Sequence, residues 1–129
     1  MMRMPPYADL LGLVVETGDD GAPVLMMPFA TEVLGRPGFL HGGAISGLME
    51  MAAIVALHDA LEDEGGGEIK PINVTVDFMR GGRDKETRSR GVVTRLGTRV
   101  ANLEATAWQD DPARPIAAAR RRKRRSPRF

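Results

Sequence analysis

Two glycines directly after a histidine, with one acid nine residues past that histidine, are the residues of this chain best suited to do chemistry. The stretch reads His41-Gly42-Gly43-Ala44-Ile45-Ser46-Gly47-Leu48-Met49-Glu50, and from Ala44 to Leu57 Glu50 is the only ionisable side chain. A helix apolar on all sides is normally a buried one. A lone carboxylate in it is costly unless hydrogen-bonded, protonated or in use. Glycines at a helix start let backbone N–H groups come close to a ligand. Those first N–H groups lack partners inside the helix and lie at the positive end of its dipole. That is the equipment of an oxyanion hole, where one donor is typically worth about 100- to 1,000-fold in rate.

Glu50 falls about two turns past Gly43 on one stripe, with Ser46 a turn before it. Burial is expected to raise its pKa. Such a carboxylate suits general-base activation of water, or direct attack on an activated acyl carbon. The plainer alternative makes His41 a helix cap and Glu50 a paired structural carboxylate. Both groups on one otherwise uncharged helix favour a site.

The elements that must position this helix can be read around it. It begins near Gly43 and stops before Gly65-Gly66-Gly67, its last turns from His58 to Glu64 polar. Upstream, Leu13 to Glu16 and Ala22 to Met27 are β-rich runs about the turn Gly18-Asp19-Asp20-Gly21, a hairpin. Thr31 to Gly38 is a loop or one helical turn. Downstream, Pro71 to Met79 alternates with period two, Thr87 to Leu96 is a second strand, and Arg99 to Gln109 alternates again. Ile116 to about Lys123 is a last strand. Hairpin, long apolar helix and antiparallel meander predict an α+β domain, a curved sheet of five or six strands wrapped around the helix. One small sheet covers one side of that helix, so a second copy is expected to cover the rest.

Composition narrows the function. The 129 residues fit one domain, and 43% apolar content is enough for a packed core. No cysteine is present, so thiolate chemistry is excluded and a reducing, cytoplasmic setting fits. No signal peptide is read, and Ala44–Leu57 is short of a bilayer span, so no membrane role is expected. Two histidines seventeen residues apart make a poor metal site, and no Gly-rich nucleotide loop occurs, so neither metal nor cofactor is expected. Residues 120–129 hold seven Lys or Arg and no acid; the rest holds eleven basic and seventeen acidic residues, a net of −6. The division is therefore a body, 1–119, and a basic tail or strand extension, 120–129. Such a block either is a solvated tail or holds polyanions. Only Phe129 is aromatic there, so nucleic-acid stacking is poorly supported.

The His41-Gly42-Gly43-Ala44 run with an acid nine residues after the histidine resembles the hotdog-fold acyl-CoA thioesterases of the phenylacetic-acid-degradation type. Val74-Thr75-Val76-Asp77-Phe78-Met79-Arg80 is similar to that family's strand ending in Arg, and Arg95-Leu96-Gly97-Thr98-Arg99 to its basic turn. The resemblance runs from about Ala8 to Ala119. It implies hydrolysis of an acyl-CoA thioester by a homodimer or dimer of dimers, with sites at the subunit interface. Glu50 would be the base or nucleophile, Gly42 the backbone oxyanion donor and His41 an orienting residue. Gly43 and Ser46 would line the site, and Arg80, Gly81, Gly82 and Arg99 would meet the CoA nucleotide. Three helper positions depart from the pattern: Gly35 for Asn or Gln, Pro71 for Ser or Thr, Gly81 for Pro. A non-catalytic acyl-CoA binder, and an anionic-polymer binder acting through the Arg-rich block, are the alternatives.

Overall fold

The run from Ala44 to Leu57 is the middle of one helix, α2 (Gly42–Leu61), whose buried residues fall on most of its circumference. Around it the computed structural model, which describes residues 4–62 and 68–126, places eight further elements. They are α1 (Pro6–Leu10), β1 (Val14–Thr17), β2 (Pro23–Met27), a 3-10 turn at Thr31–Val33, β3 (Glu68–Phe78), β4 (Thr87–Leu96), β5 (Val100–Trp108) and β6 (Ala117–Ser126). The expected helix stop at Gly65–Gly67 lies outside the described residues.

All six strands form one antiparallel sheet in the order β1-β2-β4-β5-β6-β3. β1 and β2 pair as the expected hairpin, with Asp20 Oδ1 accepting from the Ala22 N–H at 3.0 Å in the turn. β4, β5 and β6 run as a meander. β3 differs from expectation: it lies at the sheet edge beyond β6, not beside β4. A period-two pattern shows that a strand has two faces but not which neighbour it takes.

The helix lies across β2, β4, β5 and β6. Small side chains let it close on the sheet. Ala101, Leu103, Ala105 and Ala107 of β5 point inward and are buried, and Ala117 and Ala119 of β6 do the same. At Gly91 of β4 a Cβ would stand 2.6 Å from the Ala52 carbonyl oxygen, so helix backbone rests directly on strand backbone there. Leu48, Met49, Ala53 and Leu57 are fully buried, and α1 closes the open flank with Ala8 in the core and Tyr7 over Gly47. Large-to-small changes among such residues cost about 2–5 kcal/mol each. α2 is long and apolar enough by length and composition to cross a bilayer, and about half of it is buried against the sheet.

Ile69 and Val76 of β3 pack on the core, but among the described residues the rest of its inner face is left uncovered. Ile72, Val74 and Phe78 share its inner face and remain exposed, as does Met79 beyond its end. Pro71, which has no N–H for a ladder, sits on this edge strand beside a register shift between Pro71 and Asn73. Residues 120–126 are part of β6.

Candidate active site

The helix start is built by its cap. His41 is in extended backbone geometry, and its Nδ1 accepts from the Gly43 N–H at 2.8 Å. An accepting Nδ1 places the proton of a neutral ring on Nε2. The Ala44 and Ile45 N–H groups both go to the His41 carbonyl, at 3.0 and 3.2 Å. Among the described residues the Gly42 N–H makes no hydrogen bond. The Phe78 ring stands over Gly42, 3.4 Å from where a Cβ would lie, and a Cβ on Gly43 would stand closer still, 2.8 Å from His41 Nδ1. A free donor under an aromatic ring therefore marks the start of α2.

Glu50 is not among apolar neighbours, as its place on the helix implied. Its Oε2 accepts from Arg121 Nη1 and its Oε1 from Lys123 Nζ. Arg121 Nη2 also donates to the Ser46 carbonyl at 2.9 Å, so Ser46 enters through its backbone. Both cations lie on β6, two residues apart and hence on one face of the strand. Their side chains are 2% exposed, against 25% for Glu50. Burial holds the Arg121 guanidinium below the usual arginine range, with Glu50 opposing that shift. The Arg121 Nε is buried with no partner among the described residues. Each carboxylate oxygen has two lone pairs and gives one to a cation, so one on each remains for a further donor.

Gly42 and Glu50 are eight residues apart on one straight helix, about 12 Å by rise per residue. Reacting groups must approach to about 3–3.5 Å. One chain therefore does not bring its own Gly42 and Glu50 to one carbonyl.

The remaining expected residues divide between the two ends of the sheet. Arg80, Gly81 and Gly82 follow β3 at the end where α2 begins. Gly82 is buried, and its carbonyl accepts from Leu40 at 2.9 Å. A Cβ at Gly81 would stand 2.7 Å from the Phe39 ring, which is flanked by the guanidinium groups of Arg36 and Arg83 at 4.1 and 4.4 Å. These glycines let the loop pack on the approach to the helix. Arg99 is at the opposite end, in the turn between β4 and β5, where its carbonyl accepts from the Arg125 N–H at 2.8 Å. That separation is the length of β5, about 30 Å. Gly35 stands against the His41 backbone, with only 3.2 Å between a Cβ and His41 Cα.

Arg121 and Lys123 were not singled out by sequence reasoning, which placed them at the end of the last strand and in a basic tail or strand extension. The signal was present. Ala117, Ala119, Arg121 and Lys123 are in phase at period two, and a carboxylate on an apolar helix needs partners.

A family model described as the thioesterase superfamily matches residues 37–116, which contain α2 and the strands β3 to β5. No curated protein matches the chain. Among solved structures, a protein of Chromobacterium violaceum is 31% identical over 94% of this chain and 83% of its own, with a TM-score of 0.73. The phenylacetic acid degradation-related protein of Ralstonia eutropha JMP134 is 23% identical over 95% and 92%, with a TM-score of 0.78. AziG of S. sahachiroi is 23% identical over 98% and 100%, with a TM-score of 0.83, a likeness of fold.

Proposed function

The chain belongs to the thioesterase superfamily and is by that membership a hydrolase of thioesters, and we propose that its substrate is an acyl-CoA and that its site is built between two copies. The observation that carries this reading is Glu50, the one carboxylate of the apolar run Ala44–Leu57, part-exposed with a free lone pair on each oxygen, on the same helix as a Gly42 N–H that has no partner among the described residues.

The 12 Å between those groups is closed by a second copy. An unpaired β3 edge with an apolar inner face is the surface a second β3 would pair with. Antiparallel pairing reverses the second chain. It sets two α2 helices side by side in opposite directions, so that Gly42 of one copy and Glu50 of the other approach a common point. The same reversal brings Arg80 of one copy towards Arg99 of the other, where a CoA phosphate would find both. A dimer of dimers is compatible with this pairing.

Hydrolysis then follows from the groups present. The thioester oxygen accepts from the Gly42 N–H, which stabilises the charge that forms as the carbonyl is attacked. Glu50 takes a proton from water as the water adds, or adds itself to give an anhydride that water then opens. The C–S bond breaks and the CoA sulfur leaves as a thiolate that is then protonated. Arg121 and Lys123 fix the carboxylate so that its remaining lone pairs face the open side. His41 holds Gly43 and so the start of the helix.

The test is free-thiol release from a panel of acyl-CoA esters by Glu50→Gln and Glu50→Asp beside the parent, with melting curves on all three. Loss of about 100- to 10,000-fold in kcat for a folded Glu50→Gln is expected. Full turnover in that variant would sink the assignment. Saturable binding of the ester by the parent without thiol release would make the chain a binder in place of an enzyme on acyl-CoA.

A further inference from the structure

Alternation along β6 divides its basic residues between the two faces of the sheet. Arg121 and Lys123 point inward to Glu50. Arg120, Arg122 and Arg124 point outward and are exposed. Register extends this outer row sideways. Lys70 of β3 pairs with Arg124, and Asn102 of β5 lies between Arg122 and Arg95 of β4. Among the described residues none of these five outer cations forms a salt bridge. Other outer-face cations do: Arg88 pairs with Glu16 and Glu86, and Arg90 with Asp20. One carboxylate, Glu104, stands opposite Arg120, and Asp77 lies one row further on.

The arginines also edge a depression. A trough of about 290 Å³ opens on this face, lined by Asn73, Thr75, Thr94, Asn102, Arg120 and Arg122, with Glu104 at its side. Amides and hydroxyls between two guanidinium groups are the donors that phosphate oxygens accept from. Successive arginines on one face of a strand are about 6.6 Å apart. A linear row of charges reads a linear ligand. No aromatic side chain lines the trough, so stacking on bases is not part of its chemistry.

We infer that the outer face of β3, β6 and β5 is a second binding site, for a chain of phosphates held by Arg120, Arg122 and Arg124. It lies across the sheet from Glu50 and does not depend on the thioesterase reading. The phosphate chain could come from inorganic polyphosphate or from a single-stranded nucleic acid. Fluorescence anisotropy of the full chain with labelled polyphosphate and with labelled oligothymidylate separates the two sources. Three phosphate contacts predict about a 20-fold loss of affinity between about 50 and 200 mM salt. The variant Arg120→Gln/Arg122→Gln/Arg124→Gln is expected to lower the salt slope by about two to three and to leave the melting temperature and thiol release unchanged. Arg114→Gln, an exposed cation elsewhere, serves as the control and is expected to bind as the parent does. Loss in the triple variant with either ligand supports the site and names its source. Absence of binding to both at low salt, or undiminished binding in the triple variant, would overturn it. So would a raised KM for the thioester in that variant, because the row would then belong to CoA.

Discussion

The two faces of β6 carry the same kind of residue in two different states. On the inner face Arg121 and Lys123 are almost wholly buried, and both are spent on Glu50. On the outer face Arg120, Arg122 and Arg124 are exposed and form no salt bridge among the described residues. The difference lies only in the parity of the position. Composition and net charge describe the block as a whole and miss it. A buried cation must be matched, and its removal strands the partner; an exposed one stays hydrated, and its removal costs the fold little.

The largest test of that contrast is Lys123→Met. It leaves the Glu50 carboxylate with one cation in place of two, and is expected to cost about 3 kcal/mol, read by chemical or thermal denaturation. A cost below about 0.5 kcal/mol would show that burial does not set the value of these charges. Next comes removal of the whole cluster. Glu50→Met/Arg121→Met/Lys123→Met replaces a buried ion group with apolar side chains of similar length. Such replacements are commonly neutral or stabilising by about 1–4 kcal/mol. The triple variant should therefore melt no lower than Lys123→Met while releasing no thiol. Stability and activity would then be separable at one cluster, which marks it as kept for function.

Smaller effects sharpen the outer side. Glu16 accepts from Arg88 Nε at 2.7 Å, and that hydrogen bond lowers its pKa from 4.5. A lowered carboxyl pKa adds stability above the ordinary value, and that contribution is lost as pH falls through the folded one. Glu16→Gln should thus flatten the acid side of the stability profile below about pH 4.5, by well under 1 kcal/mol for a pair this exposed. An unchanged acid limb would remove the pair from the ledger. The smallest effect is expected for Arg122→Gln, within about 0.5 kcal/mol of the parent in the same denaturation experiment.

The sequence foretold the fold well where side chains repeat. Strand alternation in Pro71–Met79 and Arg99–Gln109, the strand read at Thr87–Leu96 and the apolar run of α2 each mark a true element. β6 is longer than its apolar beginning indicates, because its inward positions past Ala119 are filled by cations whose partner is 71 and 73 residues away. Edge placement of β3 was hidden for a related reason: pairing is a property of two strands, and one strand's pattern holds no record of it. At the site, Glu50 and the His41-Gly42-Gly43 cap were legible from their spacing. The roughly 12 Å gap to Gly42 was implicit in the eight-residue spacing, whereas the clamp on Glu50 and the opposite placement of Arg80 and Arg99 were hidden, since each depends on where separate strands fall in space.

An uncovered β3 also ties output to amount. If pairing along that strand completes the site, catalysis obeys mass action, and the fraction of working sites depends on total chain concentration. Dilution would then act as an off-switch, lowering the turnover of each chain without unfolding it, and raising expression would increase total activity more steeply than in proportion.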